Sequence, residues 1–306
     1  MKLKNLIILV VMAIVLVFAA VSTSKKNAKS SPDVIGKAVF PELVADDVEK
    51  IVITSAEGTA TVSRINDVWT VPDRYNYPAD FNKVKDYLIK FSDMKIGQVM
   101  KVDDKQKAAL KITSPAGILV DVRGKNNSPL ASLLIGEARM RKSGGDMPDF
   151  GGYPDGHYVS PDSGKNVFLV GSALSELPLN VKNWLDQDLF NVGSSDIKEI
   201  AITGPGRTDA KIARKKDSAG LEVSGLATNE VTVDSKMYSL ESALSYFKLD
   251  DVADPAANPT VTGLDKPAVY TAVTQKGEIY SVRIGKKQEG SDYRYCRIEV
   301  ALKDAE

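Results

Sequence analysis

The chain holds a single histidine, His157, and a single cysteine, Cys296, so the two side chains most often used for nucleophilic catalysis and metal binding are each present once. A thiolate–imidazole pair would have to bring these two together, and one histidine and one cysteine disfavour a zinc site. His157 reads as a strand or loop-edge residue, and Cys296 as a small half-buried apolar side chain. Asp146, Asp149 and Asp155 share the Gly-rich stretch RKSGGDMPDFGGYPDG with Tyr153. Oxygen-rich flexible loops bind calcium, but the spacing is not that of an EF-hand, so a solvated loop is the competing reading. Tyr75, Tyr77, Tyr153, Tyr158, Tyr293 and Tyr295 gather near strand ends and turns, where aromatic faces beside polar groups suit glycan or peptide recognition. Aromatic residues are also ordinary strand formers. Asp250-Asp251-Asp254 reads as a helix-end turn. There is no Gly-x-Ser-x-Gly elbow and no phosphate-binding Gly-x-x-x-x-Gly-Lys-Ser/Thr loop, and Gly204-Pro205-Gly206 reads as a hairpin turn. No catalytic residue, cofactor or committed metal ligand follows from these residues. A hydrolase built on dispersed carboxylates stays open, because such pairs leave no local signature.

The elements that would position these groups begin with Leu6 to Val21, the unbroken apolar run LIILVVMAIVLVFAAV. As a helix it spans roughly 24 Å, slightly less than a bilayer core of about 30 Å, and Leu3, Ser22 and Thr23 extend it. A cleaved signal peptide and a retained signal anchor both fit. We take the anchor, because the run exceeds the usual signal length. Lysines flank both ends nearly equally, so charge alone does not orient the helix. Both readings place the body outside the cytoplasm. Residues 1–24 are thus expected to be a transmembrane helix in the inner membrane and residues 25–39, rich in Ser and Lys, a flexible tether. The 40 basic and 40 acidic side chains balance, which argues against a nucleic-acid partner.

From Phe40 the pattern is that of sheets. Val48 to Ile53 alternates as a strand, Glu57-Gly58 turns the chain, Thr59 to Ile65 returns, and Trp69 to Val71 follows. Phe81, Val84, Leu88 and Phe91 then recur at helical spacing. Ile112 to Pro115 leads into strands at Ile118 to Val122 and Ser132 to Gly136, and Ser172 to Asp186 reads as a second helical segment. The same order recurs about 150 residues later. Asp196 to Ile202 matches Asp47 to Ile53. Met237, Leu240, Leu244 and Phe247 repeat the helical spacing. Leu264 to Ala268 matches Ile112 to Ala116, Ser281 to Gly285 matches Ser132 to Gly136, and Tyr295 takes the place of Tyr158. The expected fold is therefore α+β: two tandem copies of a mainly antiparallel β-sheet unit with one principal helix each, in residues 40–191 and 192–306, after an N-terminal transmembrane helix. The second copy is read as incomplete, since it lacks a counterpart of Asn166 to Trp184.

The apolar leader, Phe40-Pro41-Glu42-Leu43, the strand VEKIVI, Trp69, Tyr77-Pro78-Ala79-Asp80, Ile112-Thr113-Ser114-Pro115, Leu134-Ile135-Gly136, Tyr158-Val159 and Trp184-Leu185 together resemble the bacterial domain-of-unknown-function 4340 family. The likeness runs from roughly Phe40 to the end. In place of the usual Gly-Leu-Asp-x-Pro turn the first copy has Lys111 to Pro115, while Gly263 to Pro267 keeps it. The resemblance implies an envelope protein often encoded beside an ABC-type transport system and its gliding-motility-like auxiliary subunit, and it brings no catalytic residues. The expectation is a membrane-anchored, single-pass, non-catalytic binding or scaffolding subunit. Its partners would be the bilayer, through Leu6 to Val21, and other envelope or transporter proteins. A cell-wall or glycan-binding module and an envelope hydrolase are the alternatives.

Overall fold

The computed structural model describes residues 34–141, 153–171, 174, 177–206, 209–214 and 220–303. The expected anchor, Leu6 to Val21, and most of the tether lie outside the described residues. Among the described residues no helix is long and apolar enough to cross a membrane. The fold is α+β, mostly antiparallel sheet with few helices. It divides into two compact units, Met1–Arg64 with Asn82–Asn180, and Ile65–Phe81 with Val181–Glu306.

In the first unit, β1 (Lys50–Ser55) and β2 (Gly58–Ile65) form the expected hairpin. After β2 the chain turns through Asn66 and Asp67, both with positive φ (49° and 63°), the left-handed pair of a type I′ connection. It then forms β3 (Val68–Val71) and β4 (Tyr77–Pro78), which pair with each other and belong to the second unit. Helix α1 (Phe81–Ser92) buries Val84, Tyr87, Leu88 and Phe91. Phe81, expected on that apolar face, is 61% exposed, because it stands at the first position of the helix. β5 (Ile96–Met100) follows, then α2 (Asp104–Ala109), opened by a reciprocal cap in which Gln106 N donates to Asp103 Oδ1 and Asp103 N donates to Gln106 Oε1. β6 (Ile118–Arg123), β7 (Pro129–Arg141), β8 (Tyr153–Ser160) and β9 (Val167–Val170) complete the unit, in the order β2-β1-β6-β7-β8-β9-β5. Ile51, Ile53, Val120, Val122 and Leu133 are buried, and Ile112, Leu134 and Val167 form a separate cluster against which Tyr158 packs.

The second unit is built on β10 (Ile197–Thr203), β11 (Ala210–Arg214), β12 (Leu221–Val223), β13 (Ala268–Thr274), β14 (Glu278–Lys287) and β15 (Arg294–Leu302), in the order β12-β11-β10-β13-β14-β15. Helices α3 (Asp234–Glu241) and α4 (Pro259–Thr262) lie between β12 and β13. Ile197, Ile200, Ile212, Leu244, Ala272, Tyr280 and Val282 form its core. Phe190 stacks on Phe247 with centroids 5.4 Å apart, and the buried Tyr270 hydroxyl donates to Leu240 O at 2.9 Å.

The helix expected over Met237 to Phe247 is shorter than its spacing suggests. It ends at Glu241, and Ser239 and Ser242 return their hydroxyls to the carbonyls of Ser235 and Tyr238, bonds that compete with helix propagation. Leu244 still reaches the core from the turn that follows. In the segment expected to be helical over Ser172 to Asp186, the described residues contribute a short 3-10 turn at Val181–Trp184, the chain before it carrying Pro178.

Five strands in each unit share an order, β2-β1-β6-β7-β8 in one and β11-β10-β13-β14-β15 in the other. Their registers agree over the strand centres. Ile53 lies between Ala60 and Val120, as Ile202 lies between Ala210 and Tyr270. Ile118 opposes Ile135 as Ala268 opposes Ile284, and Ile135 opposes Val159 as Ile284 opposes Cys296. The turn residues agree as well: Lys111 (φ 54°) and Gly263 (φ 74°) are both left-handed.

Candidate functional site

The residues singled out from the sequence fall in three places. At the end of β7 and β8, Arg139 opposes Gly156 and Met140 opposes Pro154, so Asp155 is the extra residue of a bulge. The bulge presents Asp155 to Arg139, whose Nε and Nη2 donate to its two carboxylate oxygens at 2.6 and 2.9 Å. The hydrogen bond from Arg139 holds this carboxyl below its ordinary range. Both oxygens of Asp155 thus face a cation. Asp146 and Asp149 lie outside the described residues. No group of three or more His, Cys, Asp or Glu side chains among the described residues is placed to hold a metal ion.

His157 follows on β8, opposite Ala138 on one side and Val170 on the other. It is buried, burial pushes its imidazole below the usual histidine range, and its Nδ1 has no hydrogen-bond partner among the described residues. Gly156 before it admits no larger residue, since an added Cβ would stand 2.6 Å from Val170 O. Cys296 belongs to the other unit and is exposed, not half-buried as its sequence context suggested, because it lies on the outermost strand β15.

The second place is the segment from β3 to β4. Tyr75 takes a left-handed conformation and is exposed, while Tyr77 is half-buried and its hydroxyl is pushed up by burial and by the charge of Asp186. Between these elements and the chain after α3 runs an ion-pair chain that local sequence does not announce. Arg74 grips both oxygens of Asp251, and Lys182 Nζ lies 3.0 Å from Asp250 Oδ2 and 3.4 Å from Asp251 Oδ2. Burial opposes ionisation of Asp251, but the bonds from Arg74 and the Val252 N–H, with the charges of Arg74 and Lys182, outweigh it and hold the carboxyl below its usual range. The bond to Asp250 likewise holds the Lys182 amine above the lysine range. Main-chain bonds tie the same region: Asp80 N to Trp184 O at 2.8 Å and Asp186 N to Pro78 O at 3.0 Å.

The third place is the β14–β15 turn. Lys287, Gln288, Glu289, Gly290, Ser291 and Asp292 line an open cleft of about 490 Å³, in which Lys287 Nζ pairs with Asp292 Oδ1 at 2.6 Å. Tyr293 is exposed beside it and Tyr295 half-buried on β15. Tyr153 is exposed and Tyr158 half-buried against the Ile112 cluster. Ring contacts join Phe190 to Phe247 and Tyr280 and, among the described residues, involve none of the six tyrosines. The tyrosines thus sit as separate pairs, one member exposed and one partly packed. Gly204-Pro205-Gly206 lies, as expected, in the connection between the paired β10 and β11.

A sequence model of the family described as "Domain of unknown function (DUF4340)" matches residues 69–267. The chain belongs to this family. The DUF4340 match opens at Trp69 and closes at Pro267, so it takes in part of both units and stops before β13 to β15. No curated protein and no solved structure matches the chain.

Proposed function

We propose that this DUF4340 chain is a membrane-tethered, extracytoplasmic scaffold made of two tandem copies of one sheet unit, and that it acts by contact and not by catalysis. The duplication divides the chain at residues 40–191 and 192–306. The observation that carries it is the strand order common to the two units, with registers that match over the strand centres. Asp155, Asp250, Asp251 and Asp292 in the three candidate places are taken up by Arg139, Lys182, Arg74 and Lys287, an arrangement that suits fixed structural charges. The leader Leu6 to Val21 would hold the body at the inner membrane, with an ABC-type transport or gliding-motility-like assembly as its partner. Purification of the full chain from membranes in mild detergent tests this: transporter components should accompany it, and their absence would count against the reading. Protease accessibility of the body in spheroplasts tests its location.

A glycan-binding role is favoured by a separate observation, the exposure of Tyr75, Tyr153 and Tyr293 at about half of their surface. Retention on purified peptidoglycan, lost on replacing these tyrosines by alanine, would support it. Passage without retention would dispose of it.

A further inference from the structure

We propose that the lysine-bearing edge of the first unit, made by α1, β5 and α2, docks on the anionic headgroups of the bilayer to which the chain is tethered. This contact rests on the tethered reading given above and adds a docking face to it. β5 is the last strand of its sheet, and the chain arriving from the leader is laid along it. Gly36 N donates to Ile96 O at 2.7 Å, Ile96 N to Lys37 O at 3.0 Å and Val39 N to Met94 O at 2.8 Å, and Ala38 bridges to Lys95. From Thr23, at the end of the apolar run, to Gly36 the chain spans at most about 45 Å. The body is therefore joined to the leader at this edge. α1 comes just before β5 and α2 just after it, so both helices flank the point of entry. Ile35, immediately before the paired residues, is 49% exposed and places an apolar side chain there as well.

The charges of this edge are one-sided in a chain that is balanced overall. From Lys83 to Lys111 there are eight lysines against four aspartates, with no arginine, glutamate or histidine. Lys85, Lys95, Lys101, Lys105 and Lys111 are exposed. Lys107 is paired with Asp104 at 3.3 Å and Lys111 with Glu137 at 2.7 Å, and Asp103 is taken up by the cap of α2. Lys85, Lys95, Lys101 and Lys105 have no ion-pair partner among the described residues. Lys37 brings a further cation to the outer side of β5, and Lys25, Lys26 and Lys29 stand in the sequence between that edge and the leader.

The strand order common to the two units does not demand these lysines. The stretch of the second unit that matches by sequence, 239–263, has one lysine, Lys248, against four acidic residues. What sets the first unit apart is that the leader is joined to it. The covalent connection also decides which anionic surface is met, because it holds the bilayer within reach of this edge, while a soluble polyanion would have to be found by diffusion. Each lysine close to an anionic leaflet raises the occupancy of the surface roughly fivefold, and the attraction fades beyond a Debye length of about 10 Å. The unpaired lysines nearest the entry point, Lys95, Lys101 and Lys105, are thus the ones with most effect.

The test uses the full chain in lipid nanodiscs, with Gln98→Cys on β5 in a Cys296→Ser background carrying a donor dye and with acceptor dye on the headgroups. Gln98 is exposed and uncharged, so the label removes no cation. Energy transfer should be higher with about a third of anionic phospholipid than with zwitterionic lipid alone, and the difference should vanish in roughly 0.5 M salt. Lys95→Glu, Lys101→Glu and Lys105→Glu together should lower the docked fraction at least roughly tenfold. An unchanged thermal unfolding midpoint for that triple variant excludes misfolding as the cause, and the salt series on the parent reads the same contact without any substitution. Equal transfer in the two lipid mixtures, a difference that the triple variant keeps, or protein cross-links from a photoreactive group on the same cysteine in native membranes would overturn the proposal. Release of the chain from both mixtures by alkaline carbonate would instead remove the anchor, and with it the tethered reading; a chain that is retained but indifferent to lipid charge removes the docking face alone.

Discussion

Gly136 and Gly285 each face a backbone carbonyl from the same distance: an added Cβ would stand 2.1 Å from Leu110 O in the first case and 2.2 Å from Thr262 O in the second. The two glycines follow Ile135 and Ile284, which occupy matching places in the strand registers, and the two carbonyls belong to the residues just before the left-handed Lys111 and Gly263. The same close crossing is thus made in both sheets. Gly136→Ala and Gly285→Ala should each destabilise by about 1–3 kcal/mol or more, since the clash is with main chain that cannot rotate away. Urea unfolding of the two variants checks this, and an alanine accepted without loss at either position would refute the close approach.

The left-handed residues predict an asymmetry. A non-glycine side chain in this conformation costs about 1–2 kcal/mol, while glycine loses more chain entropy on folding. Lys111 also pairs with Glu137 at 2.7 Å, an exposed contact of small value. Lys111→Gly should therefore change stability by no more than about 1 kcal/mol. Gly263→Ala should cost clearly more, because its Cβ would stand 2.7 Å from Lys286 N. Thermal unfolding of both variants measures the difference, and equal effects would contradict it.

Much of this was legible in the sequence because it rests on local pattern. Val48 to Ile53 and the 84, 88 and 91 stripe of α1 announced a strand and a helix, and the Ile-Gly steps at 135–136 and 284–285 fall at matching places in the two strand orders. What escaped was set by partners far apart. Asp250 and Asp251 looked like a helix-end turn, yet Arg74 lies 177 residues from Asp251 and nothing near either residue points to the other. The early end of α3 depended on where Ser239 and Ser242 send their hydroxyls, which periodicity does not encode. By contrast, the Asp103-x-x-Gln106 spacing of α2 was a readable capping signal inside a polar run.

Burial of His157 makes stability depend on pH in a definite direction. Its folded-state pKa lies below the ordinary 6.5, so the unfolded chain binds the proton more readily. The contribution of the neutral, buried imidazole is fully present above about pH 6.5 and is lost as pH falls from there toward the depressed folded value. His157→Leu removes the titrating group and also the unpartnered Nδ1, whose burial costs about 1–3 kcal/mol. The variant should match or exceed the parent in stability at neutral pH and lose the part of the decline that begins near pH 6.5. Urea midpoints measured from pH 8 to pH 5 would decide it, and parallel curves for the two proteins would show that His157 is not the titrating group.

The Arg74–Asp251 contact should behave as a coupled pair. Their side chains are 24% and 30% exposed, the contact is two-pronged, and Lys182 adds a second cation to the same carboxylate. Exposed pairs contribute about 0.2–1 kcal/mol, and a bidentate, networked pair belongs at the upper end. In a double-mutant cycle with Arg74→Ala and Asp251→Asn, the coupling energy should be about 1 kcal/mol near neutral pH. Asp251 has a depressed folded-state pKa, so this contribution is complete above its ordinary value of 3.8 and disappears as pH falls through the lowered one. Added salt should reduce the coupling only in part, because the groups are partly shielded from solvent. Lys182→Met should cost less than Arg74→Ala, since Lys182 makes one contact to each of Asp250 and Asp251 while Arg74 continues to hold Asp251 through both oxygens. A coupling near zero at neutral pH, or one unchanged below the titration of Asp251, would mean that the pair is placed by the surrounding main-chain bonds from Asp80 and Asp186 and does not itself hold the region.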